Sequence, residues 1–480
     1  MSKQISRWFL LIILSSAVFL SVIDIFIVNV AIPSIKIGIK GSDSDIQLVI
    51  VLYLLGYAAF LITGGRAGDH YGKKNVFIIS MIFFIATSCL CGFSQSPWQI
   101  NTSRFLQGIS AAFMIPQSIT YIQVLFPEHH DRIKALGIYG SIAGTASVIG
   151  QFLGGVLPDV HFFIAGWRLI FLINLPLGLI SVILAAKYLK DTKTEKKGKF
   201  DHSGVTLLTM ALIALIYPLV RGPELQWPWW SMALIGLSIV LLALFIFDQR
   251  RKLQTGKEPL IDVRLFGFKD FNIGLCAVLF YFMVQDTYFL INVILFQTGF
   301  GISSSETGIF FVFQGVGYVV ASLLSLHLVP VYGKKVLQVG VLIMITALVF
   351  HLVFFNSPST SRYILLPVLF IYGTGCGSVL PSLLTMALKS IPPHFAGAAS
   401  GTFSTFQQTA IALGIGIVGG VFFYQLAGNT TLEGYVSAYR IATGVNMFLL
   451  MVVSLFLFLL PDKQKASPIS SPKERTLIAN

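Results

Sequence analysis

Three ionisable side chains lie where the chain gives them almost no polar company. Asp24 falls in the run Leu10 to Pro33, Arg104 in NTSRFLQGISAAFMIPQS, and Asp286 in AVLFYFMVQDTYFLINVILFQ. A carboxylate on a helix in lipid costs roughly 2.5 to 3.5 kcal/mol on insertion scales, so a retained one calls for a use. The chemistry open to Asp24 and Asp286 is the loading and release of protons and the holding of a cation. The alternative is a polar group buried between helices for packing. Arg104, Gln107, Gly108 and Ala111 fall at i, i+3, i+4 and i+7 and share one helical face. An arginine there can hold an anion, bias the protonation of a nearby acid, or pair with that acid structurally. Gln285, Thr287 and Asn292 beside Asp286 suggest a wet side to its helix.

The elements that must position these residues follow from composition. Of 480 residues, 55% are hydrophobic and only 11% charged, less than half the charge of an ordinary soluble domain. Apolar runs long enough to cross about 30 Å of hydrocarbon recur without alternation, which predicts an all-helical polytopic membrane protein. Breaking at charges and at Gly, Pro and Asn gives fourteen spans, near 9–33, 46–66, 75–95, 99–124, 134–157, 167–187, 203–221, 229–247, 271–296, 306–329, 335–356, 363–388, 398–426 and 440–461. The N-terminal run is too long for a signal peptide and carries Asp24, so it is read as an uncleaved span.

With the N-terminus inside, 26 lysines and arginines fall on the cytoplasmic side and 6 outside, as an even number of spans requires. The formal charge of +13 is therefore a topology signal spread between spans, and nucleic acid is not an expected partner. Tyr71-Gly72-Lys73-Lys74 recurs as Tyr332-Gly333-Lys334-Lys335 after the tenth span, which suggests two related six-helix halves. The expected division is 1–187 for an N-terminal six-helix bundle, 188–270 for an inserted helix pair with cytoplasmic linkers, and 271–461 for a C-terminal bundle. Residues 462–480 form a polar tail, read as disordered.

Several classes are excluded by what is missing. There is no G-x-x-x-x-G-K-[ST], no H-E-x-x-H and no G-x-S-x-G, so neither nucleotide hydrolysis nor these hydrolase chemistries is expected, and the chain is not read as an enzyme. Cys89 and Cys91 point to different sides of a helix, which speaks against a metal pair or a disulfide framework. Small-residue stripes run through Gly140, Gly144, Ser147, Gln151 and Gly154, and through Gly397, Gly401, Ser404 and Gln408. They are seams where helices approach closely, and a seam can also be a moving surface.

These motifs resemble the major facilitator superfamily, and within it the fourteen-span drug:proton antiporters. Gly65-Arg66-Ala67-Gly68-Asp69-His70-Tyr71-Gly72-Lys73-Lys74 is similar to the loop motif G-x-x-x-D-x-x-G-[RK]-[RK], whose implied role is cytoplasmic gating. Arg104, Gln107 and Gly108 resemble R-x-x-Q-G. Asp24, Asn29, Ala31 and Pro33 match the first-span motif D-x-T-x-x-N-x-A-x-P, with Phe26 in place of threonine. Trp167, Arg168, Phe171, Asn174, Pro176 and Gly178 match W-R-x-x-F-x-x-N-x-P-x-G. The antiporter motif G-P-x-x-G-G appears as Gly150-Gln151-Phe152-Leu153-Gly154-Gly155, with glutamine for the helix-bending proline, which weakens the direction of transport it implies. In the second half Pro330 stands where an acid would match Asp69, so a weaker gate is expected there.

The resemblance implies a proton-driven exporter of lipophilic cationic or neutral compounds working by alternating access in a cell membrane, with both termini cytoplasmic. Asp24, Arg104, Asp286, Asn29 and Gln107 are the expected proton and substrate residues. Asp24 takes the proton, Asp286 is the second acidic contact, and Arg104 tunes both. Export of a specific metabolite, siderophore or acidic compound through Arg104 is the alternative, and a non-transporting membrane sensor the third reading. No cofactor beyond the proton gradient and no metal is expected. The expected partners are the substrate, protons, lipid and, where the host has an outer membrane, a periplasmic adaptor protein.

Overall fold

The computed structural model describes residues 6–160, 163–190, 200–389, 391–392, 395–426 and 428–460. The expected tail 462–480 and Lys193, Lys196, Lys197 and Lys199 of the first linker lie outside the described residues. Among the described residues all regular structure is helical, and fourteen helical segments are long and apolar enough to cross a membrane.

Helices α1 (Arg7–Ile39), α2 (Asp43–Tyr71), α3 (Lys73–Phe93), α4 (Pro97–Leu125) and α5 (His129–Val156) form the first five spans. The sixth is broken at Ile173 into α6 (Gly166–Leu172) and α7 (Asn174–Tyr188). Pro176, which has no N–H to return to residue 172, accounts for the break. The pair α8 (His202–Arg221) and α9 (Trp229–Gln254) follows. The remaining spans are α10 (Lys269–Ile294), α11 (Ser304–Tyr332), α12 (Lys334–Phe354), α13 (Arg362–Ala387), the α14 (Ala396–Gly414) and α15 (Gly420–Leu426) unit, and α16 (Leu432–Leu459). A π-turn, Ile415–Gly419, joins α14 to α15.

Two expected boundaries shift. The first span runs past Pro33 to Ile39 and stops where Lys40 turns left-handed, because a proline in a helix removes one hydrogen bond without forbidding the next turn. The second span includes Gly65 to Tyr71, so most of the expected gating loop is helix, and the turn itself is confined to Gly72 with φ +93°. Gly333, at φ +57°, makes the matching turn between α11 and α12.

Helices α1 to α7 pack among themselves, as do α10 to α16. Each set is built on one pair drawn together by glycine. A Cβ on Gly56 would lie 2.3 Å from the Phe105 carbonyl oxygen and one on Gly108 only 1.9 Å from that of Tyr53. In the second set an added Cβ on Gly317 would lie 2.3 Å from the Phe370 carbonyl oxygen and one on Gly373 2.0 Å from that of Gln314. Thus α2 and α4 correspond to α11 and α13. Between the sets lie three seams, α5 with α11, α2 with α14, and α1 with α10.

With fourteen successive crossings, α1 begins and α16 ends on the same side, the terminal face. Along the α5 stripe, Gly155 and Gln151 lie against Gly308, and Val148 lies against Gly315. One to three turns further toward the terminal face, Gly144, Gly140 and Gly137 have nothing among the described residues within 4 Å of an added Cβ. The α5 and α11 helices therefore meet in their opposite-face halves and splay apart toward the terminal face. Asp159, which accepts from the N–H and hydroxyl of Ser305 at 2.9 and 2.6 Å, closes the far end.

Candidate functional site

The stability of a buried ion pair decides how the first polar cluster is read. Asp24 on α1 and Arg104 on α4 are 0% and 1% exposed. The guanidinium Nη1 donates to Asp24 Oδ2 at 2.5 Å and to Gln107 Oε1 at 2.7 Å, and Nε donates to the Val49 carbonyl at 3.0 Å. Its plane also lies over the Tyr53 ring, 4.4 Å from the centroid. The other carboxylate oxygen of Asp24 accepts from Gln107 Nε2 at 2.9 Å and Asn174 Nδ2 at 3.0 Å. Asn174 can reach because the break before α7 turns it inward, where it also donates to Ser88 Oγ. Each of these partners belongs to α1, α2, α3, α4 or α7. Such a pair is close to break-even against apolar residues, while removal of one partner costs about 3–5 kcal/mol.

Asp286 is differently placed. It lies near the middle of α10, is 6% exposed, and accepts from Asn29 Nδ2 at 3.0 Å. That bond crosses the α1 and α10 seam, joining residues 257 apart in sequence. No ion pair to Asp286 is present among the described residues. One helical turn on, Phe289 packs edge-on against Phe26 of α1 at 5.6 Å and against Phe311 of α11 at 5.2 Å. Asn29 Oδ1, Gln151 Oε1 and Gln314 Oε1 are buried with no hydrogen-bond partner among the described residues. Four helices thus bring an acid, three phenylalanines and three amides with spare capacity to one region of the interface.

Of the five expected proton and substrate residues, Asp24, Arg104 and Gln107 come together in one cluster, and Asn29 and Asp286 in another. Asn174 and Tyr53 are members that sequence reasoning did not place in the site; Asn174 was visible in its motif, but an uncharged amide carries little penalty to single it out. His351 of α12, also missed, is fully buried against Tyr288 of α10. Its Nδ1 lies 2.6 Å from the Ala347 carbonyl and its Nε2 2.9 Å from the Tyr288 hydroxyl. A ring whose Nδ1–H is spent on a carbonyl accepts the tyrosine proton at Nε2, the neutral tautomer. Tyr288 in turn stacks on Tyr372 at 3.7 Å.

The antiporter-motif residues lie between α1 and the α5 and α11 seam. Gly150 and Gly154 face the Ile23 and Ile27 carbonyls of α1, at 2.9 and 2.5 Å from an added Cβ, while Gly155 faces Ser304 and Gly308 of α11. With Gln151 in place of proline, α5 runs unbroken. In the gating motif, Gly65 lies against Pro116 of α4, Lys73 pairs with Asp69 at 3.2 Å, and Lys74 donates to the Ala186 carbonyl at 2.8 Å.

Three comparisons bear on this geometry. The sequence model described as Major Facilitator Superfamily matches residues 14–215 and 202–415. A probable actinorhodin transporter of Streptomyces coelicolor is 32% identical over 88% of this chain and 74% of its own length. The multidrug resistance protein Stp of Mycobacterium tuberculosis is 29% identical over 86% of this chain and 75% of its own. Among solved structures, a bacterial homologue of the human lysosomal transporter Spinster, inward-facing and unoccupied, superposes with a TM-score of 0.66 at 16% identity, covering 96% of this chain and 98% of that one.

Proposed function

The chain belongs to the major facilitator superfamily and is a multi-pass membrane transporter of small molecules, and from that premise we propose that it is a proton-driven exporter of lipophilic neutral or cationic compounds. The carrying observation is Asp286, a buried acid that among the described residues has no cationic partner and one hydrogen bond, which crosses the seam. An acid of that kind can gain or lose a proton as the seam opens. Asp24 already has both oxygens occupied by Arg104, Gln107 and Asn174, which favours a framework role for it and moves the exchangeable proton to Asp286.

The same cluster bears on substrate charge. Arg104 is neutralised inside one set of helices, so it offers no free cation to an anionic solute. The phenylalanines and amides around Asp286 suit a greasy, hydrogen-bonding solute of zero or positive charge. The lysine and arginine bias supports a terminal face on the cytoplasmic side of a cell membrane, and on that reading the splayed α5 and α11 seam is an inward opening. The relative named for a single compound, actinorhodin, supports the narrower alternative of one specific substrate.

The test is transport in proteoliposomes with pH gradient and voltage set separately, against a panel of cationic, neutral and anionic compounds. Proton-dependent accumulation of cationic or neutral compounds is expected. Accumulation that ignores both gradients, or is confined to anions, refutes the proposal.

A further inference from the structure

The pair α8 and α9 has no counterpart in either six-helix set, and its attachments are unequal. At the opposite face Arg221, the last residue of α8, pairs with Asp45 and donates to Ser44 Oγ at 2.8 Å. Glu224, just beyond, accepts from Ser42 Oγ at 3.1 Å and from the Ser44 hydroxyl. All three partners lie at the start of α2. At the terminal face Phe200, two residues before α8, stacks on Tyr71 at 5.9 Å and meets His70 edge-on at 5.4 Å, at the other end of α2.

A third attachment runs through the strap 255–268, which joins α9 to α10. Asp201 caps α8 by accepting from Gly204 N–H at 2.7 Å, and also takes Gln249 Nε2, Lys252 Nζ and the Leu260 N–H. Gln249 Oε1 accepts from Ile261 N–H at 3.0 Å. These bonds pin the middle of the strap to the pair. Beside them, Arg66 of α2 donates to the Pro259 carbonyl at 2.8 Å and lies 3.7 Å from Glu258. Beyond Asp262 the strap belongs to the other set: Phe266 packs on Phe406, Phe268 packs on Phe395, and the Phe266 carbonyl accepts from Asn272 at 2.7 Å.

Against the C-terminal helices α8 presents a different surface. Leu219, Val220 and Pro223 lie on Gly416 and Gly420 at either end of the π-turn. A glycine face against aliphatic side chains resists sliding weakly, whereas directional polar bonds fix position. Single exposed ion pairs are worth little, but three anchors spread over both ends of one helix fix its orientation.

We propose that α8 and α9 are fastened to α2 and travel with the N-terminal helices, sliding over the α14 and α15 junction, while the strap segment Asp262–Phe268 acts as the hinge to α10. The proposal rests on the reading that the two sets move relative to each other.

Spin labels test it in the full chain, in lipid, with Cys89→Ala and Cys276→Ala to remove the half-exposed thiols. Trp98 on α4, Trp229 on α9 and Tyr363 on α13 are exposed at the opposite face and report one set, the pair and the other set. Between acidic and alkaline buffer the Trp229→Cys to Trp98→Cys distance is expected to hold while Trp229→Cys to Tyr363→Cys shifts together with Trp98→Cys to Tyr363→Cys. The reverse pattern overturns the proposal. A Trp98 to Tyr363 distance that never changes refutes the rocking reading alone; the fastening is then judged by Arg66→Ala with Arg221→Ala, which is expected to broaden the Trp229 to Trp98 distribution. An unbroadened distribution refutes the fastening.

Discussion

Replacing Asp24 with asparagine keeps the shape of the buried cluster and removes its negative charge. Arg104 then retains the Val49 carbonyl, Gln107 Oε1 and the Tyr53 ring, but no counterion, at a site where it is 1% exposed. Stranding one member of a buried pair costs about 3–5 kcal/mol, a sizeable part of a protein's typical 5–15 kcal/mol. The double change Asp24→Asn with Arg104→Gln removes both charges and leaves neutral amides, so it is expected to recover most of that loss. The assay is a melting series of wild type, both single variants and the double variant in one detergent, with transport measured on each. An Asp24→Asn protein as stable as wild type, or a double variant no better than the single, refutes the account of the pair. Stability restored without transport would return to Asp24 the proton-carrying role assigned here to Asp286.

Asp286→Asn is expected to abolish uphill accumulation while leaving downhill exchange; one proton across about 100 mV supplies roughly 2.3 kcal/mol, or roughly a 40-fold gradient at about 1.4 kcal/mol per tenfold, and vesicle uptake with and without the gradient reads this directly. Gly108→Ala drives a methyl into the Tyr53 backbone and is expected to cost about 1–3 kcal/mol, read as a lowered melting temperature. Gly144→Leu, on the open part of the same α5 stripe that packs at Gly155, should melt like wild type yet slow transport, because the seam must close there in the other state. Burial opposes the charge on Asp201, and the bonds from Lys252, Gln249, Gly204 and Leu260 outweigh it, holding this carboxyl below its usual range. Its contribution is therefore complete above the ordinary carboxylate value and lost as pH falls through the depressed one. Hydrogen exchange at Leu260, corrected for intrinsic rates, should lose protection only in that acid window.

The fourteen spans were legible because twenty apolar residues in a row have few other uses. The charges at membrane depth were legible for the same reason, and Asp24, Arg104 and Asp286 all proved buried. Their partners were not legible. Helical periodicity says that Arg104 and Gln107 share a face, but not that this face meets α1 80 residues earlier. The Asn29 bond to Asp286 crosses half the chain, and no local pattern encodes it. Gly65 to Tyr71 looked like a loop because glycine and charge cluster there, yet α2 carries them for two more turns and spends Arg66 on the strap. His351 lay unremarked in an apolar run, although a lone imidazole in such a run is itself a signal of buried polar partners.

The two acids differ in what relative motion would do to them. The Asp24 and Arg104 pair lies within one set of helices, so rocking leaves its bonds intact. The Asn29 bond to Asp286 spans the seam, so parting α1 from α10 there breaks it. An ionised Asp286 loses its charge-assisted donor when that happens, whereas a protonated one loses a weaker, neutral bond. By linkage, opening the opposite face favours the proton-loaded acid, and the terminal-face-open arrangement seen here favours the ionised one. That is the order the proposed exporter needs, with the terminal face read as cytoplasmic: a proton taken up from outside, released inside, and then replaced by solute. Asn29→Leu removes the donor in both states and is expected to leave the Trp98 to Tyr363 distance far less sensitive to pH than in wild type. If the pH response of that distance survives Asn29→Leu unchanged but vanishes in Asp286→Asn, the acid is the switch and the cross-seam bond is not how it is read.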